Sequence, residues 1–272
     1  MVTEEGGDVS LTIPLVAAFG NPQLLMDVGE GPLVKSLGEE RQYKNDEQID
    51  NSLRSVLFQV PKPGVDPSLC GSPVIDPSCF VGVVDLGAID IERGRDHGMP
   101  LYNAMREAYG LLPKPSFTAI TGESTESFPI DPEINAADPI NDPDILDFVK
   151  LFDANGNPLP LGDNEDAVTG IRRTTLAARL KAIYGFPNKL DAFTGMVAER
   201  HVAGSELGEL QRAIWKKQFE ALRDGDRFFY LNDPVLVTIN TLYGVDYRHT
   251  LSELIKLNTG VTVQANVFKV AG

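Results

Sequence analysis

Between Asp46 and Val60 the apolar residues Ile49, Leu53, Val56 and Leu57 recur at i, i+4, i+7 and i+8, the stripe of an amphipathic helix. Similar signals run along most of the chain. Asn21 followed by Pro22 predicts an N-cap and first turn, and "GPLVKSLG" predicts a short helix closed by Gly38. Residues 61–80 read as a Pro-rich loop, followed by helices over 84–94 and 100–109, the second ending on Gly110. Further on, "GIRRTTLAARLKAIYG" predicts a helix stopped by Gly185, and "PNKLDAFTGMVAER" another opened by Pro187. The longest helix is expected over 206–223, with Leu207, Leu210, Ile214 and Leu222 on one face and Gly225 at its stop. Thr250-Leu251-Ser252-Glu253 is a capping box that starts a last helix ending near Asn258. The expected fold class is therefore mostly α, a multi-helix body with little β.

Residues 116–166 break this pattern. They hold twelve Asp and Glu against the single base Lys150, with turn-rich runs such as "DPEINAADP" and "NDPD". The segment is expected to be a long acidic surface insertion in a single domain that spans 1–272. Within it "LFDANGNPLPLG" predicts a hairpin turning at Asn155-Gly156. The spacing of Asp153, Asn155 and Asn157 resembles a calcium loop, but Pro158 stands where that loop needs glycine and its twelfth position is not acidic. The hairpin is preferred and no metal site is expected.

A formal net charge of −15 argues against unassisted binding to nucleic acid or anionic lipid, both of which reward clustered Lys and Arg. The longest apolar run, Cys79 to Ile89, is interrupted by Asp85 and is too short for a membrane span; the acidic start "MVTEEGGDVS" lacks the pattern of a signal peptide. Cys70 and Cys79 are the only cysteines and enclose "GSPVIDPS". A small disulfide loop and a pair of inert thiols are both compatible with that spacing.

The densest chemistry lies in "AIDIERGRDHGMPLYN", Ala88–Asn103. On a helix Asp90 and Arg93 share one face, as an ion pair or as a site for an anionic ligand that also donates a hydrogen bond. His97 stands between Asp96 and Gly98 with no second His or Cys at ligand spacing, so it is expected to fix a helix end, not to hold a metal. His201 and His249 are expected to face solvent or to cap.

The run "IDIERGRDHGMPLYNAMREAYGL" resembles the N-x-Q-R-x-R-D-H-G-[LM]-P-x-Y-N signature of the animal-type haem peroxidases. The resemblance continues in order with Asn188, Asp191, Gly195 and Glu199, with "LRDGDRFFY" at Leu222–Tyr230, and with "NTG" at Asn258–Gly260. It implies a haem cofactor and peroxide-dependent oxidation of a donor in the complete protein, and an extracellular location for the complete family member. By the same resemblance Arg93 meets a haem propionate, Asp90 takes the place of an asparagine that hydrogen-bonds the proximal histidine, and His97 is structural. A carboxylate at Asp90 would draw the imidazole towards imidazolate more strongly than an amide does.

The resemblance also implies that the family's distal and proximal histidines precede the residues matched here. His97 is the first histidine of the chain, so neither axial role has a candidate and no catalytic residue is assigned. The expectation is the C-terminal part of a haem peroxidase domain, partnered by a missing N-terminal part and acting on hydrogen peroxide and a donor. The alternative is a non-catalytic peroxidase-like interaction module.

Overall fold

A computed structural model of the chain describes residues 2–5, 8–11, 13, 18, 21–39, 46–49, 59–65, 77–83, 85–153, 155–162 and 167–267. Most of the expected helices form within it: α1 (Pro22–Val28), α2 (Glu30–Glu39), α3 (Leu86–Asp96), α4 (Tyr102–Ala108), α5 (Phe117–Thr121), α6 (Leu176–Tyr184), α7 (Ala192–Ala198), α8 (Glu209–Gly225), α9 (Pro234–Tyr243) and α10 (Leu251–Thr259). The strands among the described residues make three small antiparallel sheets: β1 (Val2–Glu5) with β2 (Asp8–Leu11), β3 (Gln59–Pro61) with β4 (Phe80–Val83), and β5 (Phe148–Phe152) between β6 (Pro158–Leu159) and β7 (Thr169–Arg172). The fold is mostly α.

The caps explain the boundaries. Asp85 accepts from the Ala88 amide at 3.0 Å to open α3, and both elements of the capping box at Thr250 and Glu253 are made at α10. Gly185 closes α6 at φ +73°, a conformation open to glycine at no steric cost.

Several expectations need correction. Gly38 does not close α2, which runs to Glu39; its bare Cα lets Val263 and Gln264 approach, and the Gln264 amide donates to the Gly38 carbonyl at 2.5 Å. The helix expected over 46–60 is not helical at 46–49 and is a strand at 59–61, while 50–58 lie outside the described residues. Residues 170–172, expected as helix, pair with β5, and α6 starts only after Thr175 accepts from the Ala178 amide at 3.0 Å. The non-local ladder overrides a helical spacing there.

The core is built from α4 to α8. Tyr102, Phe117, Ile120, Ala177, Leu180, Leu190, Ala198 and Leu210 form one buried cluster. Each fully buried leucine in it contributes about 2 kcal/mol of hydrophobic stabilisation. Phe117 and Ile120 come from α5, inside the segment expected to be surface loop, and Ile134, Ile145 and Leu151 of that segment are buried too. Acid count hid these apolar side chains because most of the acids serve the fold. Glu126 accepts from the Phe117 amide at 2.7 Å, and Glu123 accepts from the Leu176 and Ala177 amides at 3.0 and 2.6 Å, which places a carboxylate at the positive end of α6. The hairpin at Asn155-Gly156 forms as expected, with Asp153 accepting from the Asn155 and Asn157 amides, 2.8 Å each.

Other surfaces remain open. Leu210 is fully buried, yet Leu222 on the same helix is 56% exposed, as are the stacked rings of Trp215 and Phe219 in large part. Helix α9 buries none of its residues although Val235, Val237, Leu242 and Tyr243 lie on it. Among the described residues no helix is long and apolar enough to cross a membrane. Cys79 is disulfide-bonded; Cys70 lies outside the described residues.

Candidate functional site

Helix α3 runs two residues past its expected end, to Asp96, and His97 caps it. The His97 amide and ring Nδ1 both donate to the Arg93 carbonyl, at 3.1 and 2.8 Å, so His97 satisfies a terminal carbonyl of the helix. Among the described residues no group of His, Cys, Asp and Glu is arranged to hold a metal ion.

Four side chains of the motif, those of Arg95, Tyr102, Asn103 and Arg106, are tied to the second motif, 85–97 residues further along. Arg95 donates to both carboxylate oxygens of Asp191, at 3.1 and 2.9 Å, and Tyr184 adds a hydrogen bond to Asp191 at 3.0 Å. Those hydrogen bonds, the Arg95 pair foremost, hold the Asp191 carboxyl below the usual carboxylate range despite its burial. Asn103 donates to Asn188 at 2.6 Å and clamps Lys114 through its backbone N–H and C=O. Gly195 faces the Tyr102 ring so closely that a Cβ there would stand 2.9 Å from the Tyr102 Cβ and nearer still to the ring.

The centre of these ties is a buried charge network. Tyr102 donates to Glu199 at 2.5 Å, Arg106 pairs with Glu199, and the Leu210 amide donates to the other Glu199 oxygen at 2.8 Å. Arg106 also donates to the Leu112 carbonyl at 2.7 Å and to Glu209 at 2.7 Å, where Lys114 joins at 2.9 Å. The side chains of Arg106 and Glu199 are only 3% and 2% exposed. Burial, then the bond to Glu199, pushes the Tyr102 hydroxyl far above the ordinary tyrosine range, so it stays a donor. Lys114 and then Arg106 hold Glu209 low.

Asp90 and Arg93 behave differently. Their only mutual contact is a loose i, i+3 pair at 3.7 Å, and the side chains are 32% and 63% exposed. Helix α3 buries no residue, and neither side chain joins the ties that bind the rest of the motif. The structure therefore buries Tyr102, Asn103 and Arg106 in the core, ties the exposed Arg95 to Asp191, and leaves Asp90 and Arg93 outside these ties. The chain matches the family model described as animal haem peroxidase over residues 2–129 and 159–268. It belongs to the animal haem peroxidase family. Animal haem peroxidases similar to it include thyroid peroxidase of Sus scrofa, 27% identical over 95% of this chain and 21% of that protein, and lactoperoxidase of Mesocricetus auratus, 27% identical over 94% of this chain and 28% of that protein. The solved structure of peroxidase A from Dictyostelium discoideum superposes with a TM-score of 0.63 at 25% identity, covering 98% of this chain and 38% of that one. The chain thus spans less than a third of these two curated relatives and well under half of the solved peroxidase.

The other histidines are also engaged. His201 is not solvent-facing as expected: its side chain is 14% exposed and stands 3.9 Å from Glu206, because the turn after α7 folds it inward. His249 lies 3.9 Å from Glu253, beside the capping box. Sequence reasoning placed Glu199 in the motif and missed its partners Tyr102 and Arg106. The signal was present, since Tyr102 and Arg106 are four apart on one helix face.

Proposed function

We propose that this chain supplies the haem-facing helix α3 of a peroxidase domain, with Arg93 toward a propionate and Asp90 toward the N–H of a histidine contributed by the part of the domain that the chain does not span. The observation that carries the reading is the split within the motif. Arg95, Tyr102, Asn103 and Arg106 are tied to Asp191, Glu199 and Asn188, whereas among the described residues Asp90 and Arg93 pair only with each other, at 3.7 Å. The residues fit the group: α3 offers an uncovered face carrying one acceptor and one partly free guanidinium, the donor set suited to a propionate. Bound haem would supply the redox chemistry with hydrogen peroxide, and these side chains supply orientation and charge. Asp90 accepts the imidazole proton's hydrogen bond and holds that ring in one tautomer. Arg93 neutralises and positions a carboxylate.

The open apolar faces of α8 and α9 support the same reading, as surfaces on which further parts of the domain pack. The disulfide at Cys79 suits an oxidising, extracellular setting. The middle of the acidic segment, 130–158, which the family match leaves out, is the inserted part on this reading.

The test uses a protein extended to the whole domain and loaded with haem. Arg93→Ala should speed haem loss to an apo-globin acceptor by about tenfold, the equivalent of one charge-assisted hydrogen bond. Asp90→Asn should raise the ferric/ferrous potential, since an amide makes the imidazole a weaker donor to iron. Unchanged haem loss and potential in these variants would mean that the two residues are a surface ion pair and nothing more.

A further inference from the structure

A second site stands apart from α3. A cavity of about 520 Å³ opens between β7, the first turns of α6 and the end of α7. Arg172, Arg173 and Thr174, consecutive in the chain, all line it, and each carries a buried side-chain polar atom without a hydrogen-bond partner: the two guanidinium Nε groups and the Thr174 hydroxyl. Thr174 is 7% exposed. Buried donors left unpaired cost about 1–3 kcal/mol each and call for an explanation, commonly a bound water, ion or ligand.

The acceptors around the cavity are already committed. Glu123 is spent on the amides that open α6, and Glu199 on Tyr102, Arg106 and the Leu210 amide. Burial pushes the carboxyl of Glu47, which also lines the cavity, up from its ordinary value. Arg172 donates to the Leu146 carbonyl and to Gln48, and Arg173 pairs with Asp131, Glu133 and Asp147, yet both Nε groups and the Thr174 hydroxyl stay without a hydrogen bond. Arg172 is held over the Phe148 ring, 4.0 Å from its centroid, and Arg179 lies on the same cavity. Burial and then the charge of Arg179 disfavour the charged form of Arg172, a repulsion that a bound anion would relieve. Phe128, Ile171 and Val197 add apolar wall. The volume suits an organic molecule better than a bare ion, since small-molecule sites run from about 300 to 1,000 Å³.

We propose that this cavity binds a small organic carboxylate, with its carboxylate between Arg172, Arg179 and the Thr174 hydroxyl and its apolar body against Phe128 and Ile171. The site shares no residue with Asp90 and Arg93 and does not depend on haem.

The test is calorimetric titration and thermal melting of the 272-residue chain with benzoate and octanoate at fixed ionic strength, with phosphate and chloride as comparison anions. At least one of the two carboxylates should bind one to one and raise Tm. Thr174→Val keeps the shape and removes the hydroxyl; it should raise Tm of the free protein and weaken carboxylate binding about tenfold. Arg179→Ala should weaken binding as much and leave the free protein's Tm in place. Three results would overturn the site: no binding by either carboxylate, an equal Tm shift from phosphate or chloride, or binding unchanged in both variants. A Thr174→Val protein that melts lower, with no carboxylate effect, would assign the hydroxyl to a bridging water instead.

Discussion

Replacing Glu199 with alanine should destabilise the protein by about 3 kcal/mol, because it removes the buried one of Arg106's two counter-charges and leaves only the half-exposed Glu209. Arg106 is 3% exposed at its side chain, so water cannot take the place of the lost carboxylate. Tyr102 and the Leu210 amide lose their acceptor in the same step. Glu199→Gln keeps one oxygen as acceptor and should cost distinctly less. Urea unfolding followed by circular dichroism separates the two variants. Equal midpoints for Glu199→Ala and the parent chain would show that the network does not hold α4 to α7.

Gly195→Ala should be almost as damaging. The new Cβ would enter the space of the Tyr102 ring, which is fully buried and anchored at its hydroxyl by Glu199, so the ring has no direction in which to move. Overpacking of this kind costs typically 1–3 kcal/mol and more where relaxation is blocked, and about 3 kcal/mol is expected here. Gly94→Ala is the matched control. A Cβ there meets only Met99, at 3.7 Å and beyond, and alanine in a helix interior is favoured over glycine by about 0.5–1 kcal/mol. The two glycine variants should therefore shift Tm in opposite directions; a neutral Gly195→Ala would refute the close approach of α7 to Tyr102.

These expectations depend on contacts that a one-dimensional reading reaches unevenly. The ends of helices were legible wherever a side chain bonds to its own neighbourhood: the Thr250 box, Gly185, and His97 at the end of α3 all act within four residues of their position. Helix α9 was equally legible in Asp233-Pro234 and Gly244 and was overlooked, since its apolar run resembles strand as much as helix. The acids Glu123 and Glu126 were read as solvated charge. Their partners, the first turns of α6 and α5, lie up to 54 residues away, and no local pattern announces them. Strand β7 was read as helix for the same reason, since its ladder is made with β5 across the hairpin. At the candidate site the resemblance named Asp90, Arg93, Asp191, Gly195 and Glu199 together. It did not tell which of them bind into the core and which stay exposed, because that distinction is made by burial.

All three of the chain's histidines have a neighbour, His97 the Arg93 carbonyl and His201 and His249 the carboxylates of Glu206 and Glu253, and the proposed function takes the iron ligand from the rest of the domain. The most direct measurement is titration of the purified 272-residue chain with hemin, read in the visible spectrum against a His97→Ala variant. The account predicts weak, non-stoichiometric binding with no histidine-ligated Soret band, the same in both proteins; a one-to-one histidine-ligated band that disappears in His97→Ala would contradict it.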